Sequence, residues 1–406
     1  MAIIPYPEPP RGPLREISER LEHGMLTADA AKDLCAAGLE WNIVAPHVHD
    51  MDWWRDQPLN ICPPAKQHWN INAWDATLRL ATSDMILWVD PGPGAPLPKV
   101  APELVLVTHA HADHTDQLQE WVNHFPEMLI VMTSITAQLL SLHSGGLGKN
   151  QQILDRIIIV DFNESRTISG VSIQFLPAGH LLGAAMLEIG FGPDHILVTG
   201  DFALRDVGGL PGGQIPAGEY AYILLESTEC SRRSLPYADL RSTRTPFLNE
   251  VEQRIASQQC GVQINTHSFG QAQEAYVSLV MAQRAGAFSE HPVYVGGLAA
   301  SVSSLYAKQL GDLSVAWNQP FSKLTDSVQG KYISIIPVQQ QHGNISNISL
   351  LEHPSIFTHS GWAEKMALAM KASCHQLCYY HGFSTSLDIA LVELGRKTGS
   401  LFKEIL

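Results

Sequence analysis

The segment Thr108-His109-Ala110-His111-Ala112-Asp113-His114 puts three imidazoles and a carboxylate into six residues, directly after the apolar run Leu104 to Thr108. A tight turn at a strand end lets His109 and His111 point one way while Asp113 and His114 point another. That arrangement suits two metal ions rather than one. Four donors from one turn cannot complete two coordination shells, so distant stretches of the chain must converge on it.

Other strand ends carry suitable side chains. His180 follows the apolar run that begins at Val171, and Gly179 and Gly183 flank it, letting the backbone turn sharply around an inward imidazole. Asp201 follows Val198-Thr199-Gly200, where a carboxylate can offer one oxygen to each of two cations. Asp90 closes Met85 to Val89; orienting a ligand histidine or pinning the His-rich loop suits it better than direct ligation. From about residue 70 to 225 short β-rich runs (85–89, 104–108, 128–132, 157–160, 171–176, 195–199, 221–225) alternate with helical patterns such as Leu118, Trp121, Val122 and Phe125. Strands alternating with helices imply a layered α/β architecture with a site along one sheet edge.

The remainder reads in three parts. Residues 1 to 13 are proline-rich, after which Leu14, Ile17 and Leu21 suggest a short helix, and a second runs from a Thr27 cap to Gly38. A middle segment, 226 to 355, is also α/β: strands 262–264, 293–295 and 333–336, and helices near 272–284 and 302–310, each closed by a glycine. The tail supplies strands 356–358 and 377–380, each running into a histidine (His359, His381), and a helix carrying Leu387, Leu391 and Leu394.

Net charge is −14, which argues against a protein that coats nucleic acid nonspecifically. The middle segment is the exception: nine Lys and Arg nearly balance ten Asp and Glu, and Arg232, Arg233, Arg241 and Arg244 cluster there as a candidate phosphate-facing patch. Apolar runs are strand length, so no membrane span is expected, and the N-terminus lacks a secretory signal, so a cytoplasmic location is expected. The six cysteines form no CxxC pair and are read as reduced thiols; Cys374 and Cys378 are read as packing. His47-Val48-His49-Asp50 imitates a ligand cluster but has no strand end to hold it. His267 is read as structural, and Trp53 and Trp54 as cover for the core edge.

Asp90, the HxHxDH of 109–114, the Gly-His of 179–180 and the Gly-Asp of 200–201 together resemble the successive motifs of the metallo-β-lactamase superfamily. Within it the chain is similar to the β-CASP nucleases, whose cap is inserted between an acidic strand end and a later histidine. Glu226-Ser227-Thr228 looks like the first cap motif, His359 in Thr358-His359-Ser360-Gly361-Trp362 the second, and His381 in Tyr380-His381-Gly382 the third. Some relatives read Ser-Gly-His-Ala, which would lay Trp362 on the second position; the DNA-repair branch, with His-Ser-Ser-aromatic, favours His359. Gly270-Gln271-Ala272-Gln273-Glu274 resembles the cap-helix start, with Gln271 where the family usually has Arg.

The resemblance implies a four-layer αβ/βα metallo-β-lactamase domain (66–225 plus 356–406), an α/β β-CASP cap (226–355) and an N-terminal extension, 1–65, that it does not cover. It implies two zinc ions, with manganese as an alternative: one on His109, His111 and His180, the other on Asp113, His114 and His381, with Asp201 between. Asp113, Asp201, His359 and Glu226 are the implied catalytic set, His359 paired with Glu226 to protonate the leaving oxygen. Arg232, Arg233 and a loop with Ser301 and Ser303 would hold flanking phosphates. A histidine at the third motif goes with RNA-directed members, so an endo- or 5′-exoribonuclease is expected ahead of a DNA nuclease of repair or defence. A non-catalytic scaffold subunit would ordinarily have lost ligands, and a lactonase or thioesterase has no need of the insertion. Recruitment of RNA is expected to involve a homodimer or protein partner, without membrane attachment.

Overall fold

The computed structural model describes residues 26–142, 151–228, 230, 240–257, 261–311, 314, 316–318, 321–325, 331–338, 346–350, 358–382 and 384–401. The chain divides into two compact units, one of Met1–Val48, Asp206–Pro211 and Leu235–Thr358, the other of His49–Arg205, Gly212–Ser234 and His359–Leu406. In chain order the strands are β1 (Asn70–Trp74), β2 (Thr77–Ala81), β3 (Ile86–Val89), β4 (Leu104–Leu106), β5 (Leu129–Met132) and β6 (Ile157–Ile159). Next come β7 (Ser165–Ile168), β8 (Val171–Pro177), β9 (Ala185–Phe191), β10 (Asp194–Val198) and β11 (Glu219–Ser227). The inserted segment supplies β12 (Val262–Thr266), β13 (Val293–Val295), β14 (Ser322–Lys323), β15 (Ile333–Pro337) and β16 (Ser346–Ser349), and the tail β17 (Ser373–Gly382) and β18 (Thr398–Ser400).

The larger unit holds two mixed sheets, ordered β1-β2-β3-β4-β5-β6 and β18-β17-β11-β10-β9-β8-β7. Their facing sides form one core, including Leu78, Leu87, Val89, Leu106 and Val131 from the first sheet and Ile173, Phe175, Leu187, Ile196, Val198 and Leu224 from the second. Helices cover the outer faces, giving the four-layer αβ/βα arrangement. On the first sheet the helix Leu118–His124 buries Leu118, Trp121 and Val122, with Trp121 edge-on to Trp88 of β3. Strands β3 to β6 are parallel, as are β10, β11, β17 and β18. Parallel strands lie covered on both faces, which is why these runs read as continuously apolar.

The smaller unit contains a parallel sheet, β14-β13-β15-β12-β16, with the helices Gln271–Arg284 and Gly297–Leu310. Its principal segment starts at Leu235 rather than at 226. The shift has a cause: Glu226 and Ser227 still pair with β17, and Thr228 Oγ1 donates to His381 O, so the chain has not yet left the second sheet. The expected extension 1–65 is divided between the units at Val48. The expected helix near Leu14 and strand residues 356–357 lie outside the described residues, whereas the helix capped by Thr27 spans Ala28–Ala36. Among the described residues no helix is long and apolar enough to cross a membrane.

Candidate metal centre

Every side chain of the His-rich set leaves the carboxyl end of a strand in the larger unit. Asp90 follows β3, residues 109–114 follow β4, His180 follows β8, Asp201 follows β10, and His381 stands near the end of β17. These side chains gather there because the parallel strands all point their carboxyl ends to one edge. Two glycines make the convergence possible. A Cβ on Gly179, at φ +75°, would lie 2.3 Å from Ala203 O, and one on Gly200, at φ +52°, would lie 2.9 Å from Thr108 Cβ. Only glycine tolerates both the conformation and the close approach.

The imidazoles are aimed by partners behind them. Asp90, buried, accepts from Thr108 N at 2.7 Å, from Thr108 Oγ1 at 2.6 Å and from His114 Nδ1 at 2.8 Å, so His114 presents Nε2 to the centre. The Thr108 hydroxyl proton is committed to Asp90, so His109 Nδ1, at 2.9 Å from Thr108 Oγ1, must be the donor of that contact. His109 Nε2 therefore carries a free lone pair inward. His111 Nδ1 lies 3.1 Å from both His109 Nε2 and His180 Nε2. His381 Nδ1 donates to Asp75 Oδ1 at 2.8 Å and turns Nε2 inward.

Asp201, 1% exposed, stands between the two groups. Its Oδ2 is 3.5 Å from His109 Nε2, 3.7 Å from His180 Nε2 and 3.3 Å from His114 Nε2, while Oδ1 is 3.7 Å from His381 Nε2. Asp113 Oδ2 lies 3.7 Å from His381 Nε2 and 3.8 Å from His114 Nε2. The donors thus sort into His109, His111, His180 and Asp201 on one side and Asp113, His114 and His381 on the other, each set spanning less than 4.8 Å. Zinc–nitrogen bonds of about 2.0–2.1 Å at tetrahedral angles put neighbouring ligand atoms roughly 3.3 Å apart, close to the separations here. Both oxygens of Asp201 and Nε2 of His114 are buried without a hydrogen-bond partner. Unpaired buried polar atoms are costly, so a donor set with this chemistry fits a metal ion.

Electrostatics separate the two sides. Burial, with His114 adding to it, holds His109 well below the ordinary imidazole range, and burial with His180 takes His111 down to about 3. Burial also disfavours charge on His114 and His381, but Asp201 and Asp90 outweigh it at His114, and Asp201 and Asp75 at His381, so both are raised. Asp201 is held well below its usual range: burial opposes its charge, and the raised imidazoles of His114 and His381 outweigh burial.

His359 stands beside the centre, its Nδ1 3.6 Å from Asp201 Oδ2 and its ring tilted over His180 with centroids 4.6 Å apart. Trp362, the alternative at that motif, is fully buried and begins the helix Trp362–Lys371. The expected pairing of His359 with Glu226 is not what holds Glu226. Its Oε1 accepts from Ser360 Oγ at 2.8 Å and from Lys365 Nζ at 2.9 Å, and its Oε2 accepts from Thr228 N at 2.8 Å. A buried cation takes the carboxylate because an unpaired charge there would be far costlier than a lost contact to a neutral ring.

Of the expected phosphate contacts, Arg232 and Arg233 lie outside the described residues. Ser301 and Ser303 stand on the helix Gly297–Leu310, not on a loop; Ser301 is exposed, whereas Ser303 is buried and its hydroxyl is 3.1 Å from Gln273 Nε2. Gln271 is engaged locally, accepting from His267 N and donating to Leu350 O. Sequence reasoning missed Asp75, Ser360 and Lys365. Asp75 reads as an ordinary turn residue between β1 and β2, and nothing local marks Lys365 as buried.

Residues 89–237 match the Metallo-beta-lactamase superfamily. The chain carries a metallo-β-lactamase domain. Among its relatives are cleavage and polyadenylation specificity factor subunit 3-I of Arabidopsis thaliana, 24% identical over 193 residues, covering 44% of this chain and 27% of that protein. Endoribonuclease YSH1 of Saccharomyces cerevisiae is 22% identical over 255 residues, 57% of this chain and 31% of that protein. Cleavage and polyadenylation specificity factor 73 of Drosophila melanogaster is 29% identical over 126 residues, 31% of this chain and 18% of that protein. The matched regions therefore span less than a third of these relatives' length. A crystal structure of a protein of unknown function from Enterococcus faecalis V583 aligns at 12% identity with a TM-score of 0.49, over 84% of this chain and 98% of that one.

Proposed function

We propose that this metallo-β-lactamase-fold chain is a two-zinc phosphodiesterase that cleaves RNA. The observation that carries the reading is the meeting of two donor sets at one buried carboxylate, Asp201. His109, His111 and His180 would hold one ion, Asp113, His114 and His381 the other, with manganese as an alternative metal. When bound, such a pair supplies an activated water near neutral pH and offsets charge developing on a phosphate.

The chain's own residues do the rest. Asp90, Thr108 and Asp75 fix the imidazoles so that little reorganisation remains when substrate arrives. Burial keeps His359 well below the usual imidazole range, so it meets substrate as a neutral ring. It therefore acts by donating a hydrogen bond to a phosphate oxygen rather than by carrying a free proton to the leaving group. Glu226, held by Ser360, Lys365 and Thr228 and within 4.8 Å of Asp201 and His359, fixes the loop bearing His359.

RNA is favoured because His381 stands at the third motif and because the relatives above include named endoribonucleases. The His-Ser-Gly-Trp sequence beginning at His359 supports a second reading, a DNA nuclease of repair or defence. End-labelled single-stranded RNA and DNA, with and without EDTA, test both. RNA cleavage abolished by EDTA and restored by zinc is expected; cleavage of DNA alone would overturn the RNA reading, and cleavage of neither by zinc-loaded protein would leave the scaffold role. Blocking the RNA 5′ end separates endonucleolytic from 5′-exonucleolytic action. We also propose that the chain works as a homodimer or with a protein partner; a stable monomer in light scattering that cleaves efficiently alone would refute this.

A further inference from the structure

His114, His109 and His381 each lean on an outer partner, and these three partners are unequal. His114 leans on Asp90 and His109 on Thr108, both fully buried. His381 leans on Asp75, whose side chain is 60% exposed, at a hydrogen-bond distance of 2.8 Å. Asp75 belongs to the hairpin between β1 and β2, where Trp74 and Thr77 pair and only Asp75 and Ala76 make the turn. It sits at φ +53°, a left-handed conformation that Asp adopts more readily than most residues. His381 is itself at φ +53°, so two unusual backbone positions meet in this contact.

The difference extends to the donors. His109, His180 and Asp201 are at most 1% exposed, whereas Asp113 is 47% and His381 11% exposed at the side chain. His111 of the first set is part-buried and His114 of the second fully buried, so it is through Asp113 and His381 that the second set opens to solvent. From this we infer that Asp75 is a positioning residue for His381 and sets the affinity of the solvent-facing metal site separately from the enclosed one. The physical basis is general: a carboxylate behind a ligand imidazole fixes its tautomer and orientation and raises its basicity, and losing it weakens metal binding by about 10–100-fold. The inference rests on the two-ion reading above, but concerns a residue that touches neither ion.

The test is zinc binding by the full chain, followed by competition with a chromophoric chelator and by metal analysis after dialysis, for the parent, Asp75→Asn and Asp75→Ala. The parent is expected to hold two ions. Asp75→Ala should keep one ion at parental affinity and bind the second about 10–100-fold more weakly. Asp75→Asn retains an acceptor oxygen without the charge and should fall between them. Circular dichroism confirms folding, and because Asp75 lies at an exposed turn both variants should match the parent. Two ions bound with parental affinity in both variants would overturn the role of Asp75 while leaving the two-ion reading intact. Equal weakening of both sites in folded protein would also overturn it, since Asp75 would then not act through His381 alone. A parent binding at most one ion would overturn the two-ion reading and this inference with it.

Discussion

Replacing Lys365 by Met tests whether the charge beneath His359 is a working part of the fold. Lys365 and Glu226 are both fully buried, with Nζ 2.9 Å from Oε1. The other two ammonium protons go to Thr228 O at 2.7 Å and Ser360 O at 2.6 Å, so all three donors are used. At an effective dielectric of about 20 the pair attracts by about 6 kcal/mol, most of it consumed in desolvating the two ions. Removing one partner forfeits the attraction but not the desolvation of the other, so Lys365→Met should cost about 3–5 kcal/mol. Glu226→Gln combined with Lys365→Met leaves no unpaired charge and should recover about 2 kcal/mol or more. Urea unfolding followed by tryptophan emission measures both, with metal content checked in parallel. The pH dependence has a definite sign. Burial already pushes Glu226 above its ordinary value against the pull of Lys365, and the variant removes that pull. Its raised carboxyl is neutral at acid pH, so the deficit should be smallest there and grow as pH rises through the raised value. A single variant costing under about 1 kcal/mol, or a double variant no more stable than the single, would refute the reasoning.

Asp201→Asn keeps the shape but removes the charge between the donor sets; RNA cleavage should fall below detection, with reduced zinc content by metal analysis. His359→Ala should lower kcat by about 10²–10³-fold while zinc content stays at the parental level, and loss of metal would instead make His359 a ligand. Zinc uptake should depend on pH unequally. His109 and His111 are depressed and carry no competing proton at neutrality, whereas His114 and His381 are raised and must release protons to bind metal. The second ion should therefore be lost first as pH falls, with proton release on binding visible as a buffer-dependent calorimetric heat.

Much of the centre was legible because its chemistry sits at strand ends. Hydrophobic runs ending in His or Asp mark both a strand and a candidate site residue, and the runs before Asp90, His109, His180 and Asp201 are strands β3, β4, β8 and β10. What stayed hidden depends on long-range pairing. The helix Trp362–Lys371 escapes a periodicity reading because Trp362 to Met370 are all buried, Glu364 and Lys365 included. Their burial is permitted by partners far away in sequence. Glu364 accepts from Leu204 N, Arg205 N and Arg205 Nη1, and Lys365 finds Glu226. The β1–β2 hairpin escapes similarly, since Asp75 in a turn gives no local hint that a histidine three hundred residues later will meet it. Strand and turn are local properties, whereas the choice of partner for a charge is not.

The same distinction bears on how a chain of net charge −14 would bind the polyanion proposed as its substrate. Most anionic excess lies outside the segment 226–355, which is nearly balanced, so no general cationic surface is available. At the centre the two donor sets contain two carboxylates, Asp113 and Asp201, beside five imidazoles, with Asp90 and Glu226 buried behind them. On the two-ion reading, divalent cations held there would offset these carboxylates and attract an anionic group locally. Lys365 cancels Glu226 beneath it, so that carboxylate adds no repulsion toward a phosphate. Attraction for the proposed substrate would thus be concentrated near Asp201 instead of spread over the surface, favouring a phosphodiester placed there over one bound elsewhere.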